Sequence, residues 1–102
     1  MSNLKWKRNE NGVYAESKNE NLRYYAIREN RKWMLEVVRT VEVSGIRVVP
    51  EPGNACVVDF DAYHDTLALT KAVAEAYDAE PIHSGPMNRL TRAISRGYEA
   101  AK

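Results

Sequence analysis

Leu22-Arg23-Tyr24-Tyr25-Ala26-Ile27-Arg28, then Glu29-Asn30-Arg31-Lys32, then Trp33-Met34-Leu35-Glu36-Val37 is the stretch that decides the fold. Aromatic and branched residues suit a pleated, half-buried surface, so the first run reads as a strand. The polar tetrapeptide after it reads as a turn. Beyond the turn, Trp33, Leu35, Val37, Val41 and Val43 recur mostly at even spacing and should face a core. Met34, Glu36, Thr40 and Glu42 then fall on the opposite face, whose polar mixture predicts a sheet wetted on one side.

Working outward toward the amino end, Leu4-Lys5-Trp6-Lys7-Arg8 alternates apolar with basic residues, Asn9-Glu10-Asn11-Gly12 carries turn chemistry, and Val13-Tyr14-Ala15-Glu16 returns antiparallel. Alternation sets Trp6 against Lys5 and Lys7, so the ring belongs to the core and the lysines to its wetted neighbours. Toward the carboxyl end, Ser44-Gly45 turns the chain into Ile46-Arg47-Val48-Val49, which Pro50 stops because proline lacks the amide donor of a ladder. Residues Pro50 to Asn54 form a loop, and Ala55 to Phe60 fits either one more strand or a buried crossing segment.

The period then changes. Asp65 is placed to cap a helix, and Leu69, Ala72, Val73, Ala76 and Tyr77 follow at three- and four-residue spacing, predicting a helix over 65–78 with Thr66 to Tyr77 as its body. Ser84-Gly85-Pro86 opens a second helix over 85–100. Its stripe is Leu90, Ile94, Tyr98 and Ala101, with Ala93 and Gly97 as close-approach positions beside it. The expected architecture is a single α+β domain over 1–102, mainly strands over 1–60. An antiparallel sheet of four to six strands is packed by one helix and followed by a second amphipathic helix. Should that second helix not fold back, Leu90, Ile94 and Tyr98 become a protein interface and the chain a homo-oligomer.

The 102 residues, 28% of them charged, leave little room for a second domain. The longest run without Asp, Glu, Lys or Arg is Pro81 to Asn88, far short of the roughly 20 apolar residues that span a bilayer. Met1 to Arg8 is basic without a following apolar segment, and the lone Cys56 closes no intrachain bridge; both point to the cytoplasm. The net charge of +1 conceals a segregation into +4 over residues 1–40, −6 over 41–80 and +3 over 81–102. Such order suits an oppositely charged partner, or lets the segments attract one another within the fold.

Each chemistry-bearing group of residues also has a plainer structural role. Arg89, Arg92 and Arg96 recur at three and four, so one helix face could straddle successive phosphates, or simply be solvated. Lys5, Lys7, Arg23 and Arg28 interleave with aromatic rings, as in surfaces that hold nucleic acid by neutralising its backbone. Cys56, Asp59, Asp61, His64, Asp65 and His83 match no zinc signature, and Cys56 between Ala55 and Val57 reads as an inert buried thiol. The five glycines are scattered singly, so no phosphate loop or nucleotide fingerprint is present. Neither a catalytic residue, a metal ligand nor a cofactor site is expected.

Trp6, Gly12-Val13-Tyr14, Tyr25-Ala26-Ile27, Trp33-Met34-Leu35, Asp65-Thr66-Leu67 and Lys71-Ala72-Val73-Ala74-Glu75 together resemble small accessory proteins of actinobacterial phages, in which an antiparallel sheet precedes an alanine-rich helix. The resemblance covers roughly residues 4–43 and 65–77, and it implies the host cytoplasm as location. Ser44 to His64 and the helix from Pro86 depart from the short form. A fainter likeness is to the three-stranded DNA-reading sheet at the amino end of phage integrases, which implies a basic sheet face. The leading expectation is therefore a non-enzymatic binding protein that contacts nucleic acid through Arg89, Arg92, Arg96, Lys5, Lys7, Arg23 and Arg28. The alternative is a module that binds and modulates a host or phage protein.

Overall fold

The computed structural model describes residues 4–10, 12–17, 20–48, 57–60, 64–80 and 86–101. The central pair expected from the sequence is β3 (Leu22–Glu29) and β4 (Lys32–Arg39), paired antiparallel in register from Leu22–Arg39 to Glu29–Lys32. Outside β3 lie β2 (Gly12–Glu16) and β1 (Lys7–Asn9); outside β4 lies β7 (Val57–Phe60), giving an antiparallel sheet in the order β1-β2-β3-β4-β7. A separate ribbon pairs β5 (Val41–Val43) with β6 (Ile46–Val48). Two helices follow, α1 (Leu67–Ala79) and α2 (Pro86–Ala100). The α+β class, the strand count and the final amphipathic helix match the sequence expectation. None of the helices among the described residues is long and apolar enough to cross a membrane.

Register explains the core. Val13, Ala15, Leu22, Tyr24, Ala26, Leu35 and Val37 share one sheet face and are all buried. Against them α1 sets Val73, Ala74 and Tyr77, and α2 adds Ala93 with Leu90 and Ile94 packed alongside. α1 lies over β3 and β4, while α2 sits beside α1 and reaches β7. The Leu90–Ile94 stripe therefore folds back onto its own domain, and the apolar argument for dimerisation through this helix lapses.

The opposite face departs from expectation. Tyr25, Glu36 and Val38 are buried there and Thr40 is buried as well, so the middle of that face is not wetted. Val41 and Val43, expected in the core, are exposed. The cause is local: Thr40 donates its amide to the carbonyl of Asn21 at 2.9 Å, β4 stops at Arg39, and the chain leaves the sheet as the ribbon. Asp65 likewise is not the cap. Thr66, in extended conformation, accepts from the Leu69 amide at 3.1 Å, while Asp65 pairs with Lys32 at 2.6 Å. The Pro50–Asn54 loop, Val49 and the Ser84–Gly85 cap lie outside the described residues.

The β3–β4 turn is two residues long, and both have positive φ, 56° at Asn30 and 98° at Arg31. That is the primed hairpin geometry, whose twist matches the strands and whose second position favours glycine. Arginine there costs about 1 kcal/mol of backbone strain. Glycine would remove the strain but has a larger unfolded-state entropy, which offsets about half of it. Arg31→Gly should therefore raise the urea midpoint by an amount equivalent to about 0.5 kcal/mol; a lowered midpoint would mean that the Arg31 side chain holds the turn.

Candidate functional site

The three arginines of α2 are gathered at one place, the carboxyl end of α1. Arg89 is buried; its Nε donates to the Tyr77 carbonyl at 2.8 Å, and its two terminal nitrogens donate to Glu20 at 3.0 and 2.5 Å. Its guanidinium also stacks 4.2 Å from the Tyr77 ring centroid. Burial on its own would lower the Arg89 pKa, but the hydrogen bonds and charge of Glu20 more than reverse this and hold it above its ordinary value. Arg92 Nε lies 2.9 Å from one oxygen of Glu80, and Arg96 lies 2.8 Å from the other.

The physical reason is the helix end. Glu80 is the C-cap of α1, its own amide bonding the Tyr77 carbonyl at 3.2 Å, and its carboxylate is only 2% exposed. A carboxylate at a helix carboxyl end meets the negative end of the macrodipole, so cations must compensate it. The expected row of three phosphate contacts is corrected at Arg89, which is enclosed in the fold; Arg92 and Arg96 pair with Glu80 but keep 40% and 66% of their side chains exposed. Nearby, the Tyr24 hydroxyl donates to Asp78 at 2.7 Å; burial first, and that bond second, push its pKa far above the usual phenol range.

The basic strand residues divide by face. Lys5, Lys7 and Arg23 come together around a groove of about 360 Å³ that is also lined by Tyr14, Ala15, Glu16 and Ser17. Cross-strand register puts Lys7 beside Tyr14 and Tyr14 beside Tyr25, so a cation and two rings stand in one row. Arg23 lies over the Tyr14 ring at 4.6 Å, 2.5 Å from Glu16 and 3.4 Å from the Tyr25 hydroxyl. Burial pulls the Arg23 pKa down, yet its bonds to Glu16 and Tyr25 leave it raised overall. Arg23 is thus a fixed wall of the groove, and the exposed Lys5 and Lys7 are its adaptable charges.

Arg28 does not join them. It is opposite Trp33 in the ladder, 5.9 Å from that ring, and strand alternation puts it on the helix-bearing face. Trp6 also turns to that side, its indole nitrogen donating to Glu75 of α1 at 3.3 Å, as the alternation of Lys5 and Lys7 implied.

Of the metal and nucleophile candidates, His64 is buried, exchanges backbone hydrogen bonds with Trp33, and sets Nδ1 2.6 Å from the Tyr98 hydroxyl. Tyr98, the third member of the proposed interface stripe, is thereby engaged within the chain. Cys56, Asp61 and His83 lie outside the described residues, as does the Asp59 side chain. Among the described residues no group of three His, Cys, Asp or Glu side chains is placed to hold a metal ion.

What sequence reading missed is the pairing of Glu20 and Glu80 with the arginines. Its one trace is the sign of the charges ending α1: Asp78 and Glu80 oppose the dipole there and call for cations from elsewhere. Compared with known proteins, the chain matches no protein-family model, no curated protein and no solved structure.

Proposed function

We propose that this chain is a non-enzymatic accessory protein, of the phage type its sequence resembles, that binds single-stranded nucleic acid in the groove between β1, β2 and β3. The observation that carries this reading is the lining of the groove, where Lys5, Lys7 and Arg23 face one carboxylate, Glu16, beside the Tyr14 ring. Charge that tracks a phosphodiester backbone, next to a ring on which a base can pack, is how single strands are held without sequence readout. A volume of about 360 Å³ suits a nucleotide-sized unit and is too small to receive a duplex. The arginines of α2, paired with Glu20 and Glu80, are not part of the binding surface in this reading.

Fluorescence anisotropy with a labelled mixed-sequence single strand tests it. Two lysines releasing counterions from two phosphates give a log–log salt slope of about −1.4. Lys5→Ala with Lys7→Ala should weaken binding by about tenfold or more at low salt and flatten the slope, with no change in melting temperature since both side chains are exposed. Undiminished affinity in the double variant, or a duplex bound more tightly than the single strand, would sink the proposal.

A further inference from the structure

The β5–β6 ribbon pairs Val41 with Val48 and Val43 with Ile46, so these four side chains form a square on one face of it. All four are exposed, Val43 by 58% and Ile46 by 68%. The ribbon packs on no other strand or helix among the described residues, and each of its strands pairs only with the other. Ser44 and Gly45, with φ of 53° and 79°, close it in the same primed turn geometry as the central hairpin. A two-stranded hairpin standing alone in water is marginal, and one that displays a branched aliphatic face gains stability only by covering it.

We propose that this face is a self-association surface whose occupant is the same ribbon of a second copy of the chain. The square of two cross-strand pairs is self-complementary under a two-fold axis, as an isologous contact requires. Charge favours a like copy over a charged partner. The apolar face carries no ionisable group, and the intervening positions hold one acid and one base, Glu42 and Arg47, leaving the ribbon neutral overall. Nucleic acid, or a strongly acidic or basic protein, would find nothing there to grip. The size of the face sets the strength: four partly exposed aliphatic residues offer far less than the roughly 800 Å² per partner of a standard interface. The dimer is therefore transient and concentration-dependent, and the four ribbon residues lie outside the core cluster of the described residues. This surface does not rest on the groove reading.

Sedimentation velocity on the full chain over a range from about 5 to 500 µM reads the association, and amide chemical shifts over the same range locate it. The expected result is a sedimentation coefficient that climbs with concentration and shift changes centred on residues 41–48. Ile46→Glu would place like charges across the two-fold axis and abolish the climb. Its melting temperature should stay that of the parent, because Ile46 lies outside the core. A coefficient that stays monomeric throughout, shift changes centred elsewhere, or association undiminished in Ile46→Glu would overturn the proposal; the first and second are read on the unmodified chain.

Discussion

Arg89→Ala lowers the stability of the domain by about 3 kcal/mol, which for a chain of this length is a fall of about 15 °C in melting temperature. The size follows from burial. The Arg89 side chain is only 5% exposed and that of Glu20 13%, so solvent screens neither, and the discount applied to surface ion pairs does not apply. Alanine leaves the Glu20 carboxylate without its two guanidinium donors and the Tyr77 carbonyl, at the end of α1, without its Nε donor. Breaking a buried pair from one side costs more than the pair contributes, because the remaining charge stays desolvated. Arg89→Lys keeps the charge but not the fork, and it should recover only about half of the loss. Thermal melts followed by circular dichroism check both. A loss below about 1 kcal/mol for the alanine variant would show that Glu20 finds water or another donor when released. The result also separates the two roles once open to this residue: a phosphate contact would cost affinity at constant stability, and a structural clamp the reverse.

That Arg89 looked like a phosphate contact shows where sequence reading stops. The spacing of Arg89, Arg92 and Arg96 places them on one helical face, and it does so here, but spacing says nothing about what that face meets. Glu20 is 69 residues away from Arg89 in the chain, and only the folded arrangement of β3, α1 and α2 brings them together. The groove was more legible, because strand alternation alone sends Lys5 and Lys7 away from Trp6. Arg28 obeys the same rule, since it is five residues from Arg23 in one strand and so emerges on the opposite, helix-bearing side. Periodicity misled at Val41 and Val43, where the even spacing continues past Thr40 although the sheet does not. An alternating pattern specifies that a strand has two faces. Whether one face is covered depends on which ladder the strand joins, and here it joins a free ribbon. The helices were read well because a 3.6-residue stripe and small close-approach positions are local signals, whereas the cap of α1 proved to be Thr66 and not Asp65.

Gly97 is the strongest of those local signals, and it sets the second large expected effect. A β-carbon built there would lie 2.7 Å from both the α-carbon and the amide nitrogen of Val73, closer than such atoms approach. The obstacle is backbone in the middle of α1, which has no rotamer to change, so the helices themselves must separate. Intrinsic propensity pulls the other way: alanine in a helix interior is favoured over glycine by about 1 kcal/mol. Overpacking of a close crossing costs about 1–3 kcal/mol. Separation also loosens the core that Ala93 shares with Val73 and draws the α2 arginines away from Glu20 and Glu80, interactions that depend on the same crossing distance. The sum favours the steric effect, and Gly97→Ala should destabilise by about 2 kcal/mol, with Gly97→Leu leaving no cooperative melt. The control is Gly45→Ala, where no neighbouring atom lies within 4 Å but φ is 79°, so its cost is confined to the turn at about 1 kcal/mol. Should Gly97→Ala melt at or above the parent temperature, propensity would have won, and the two helices would have slack between them that these contacts deny.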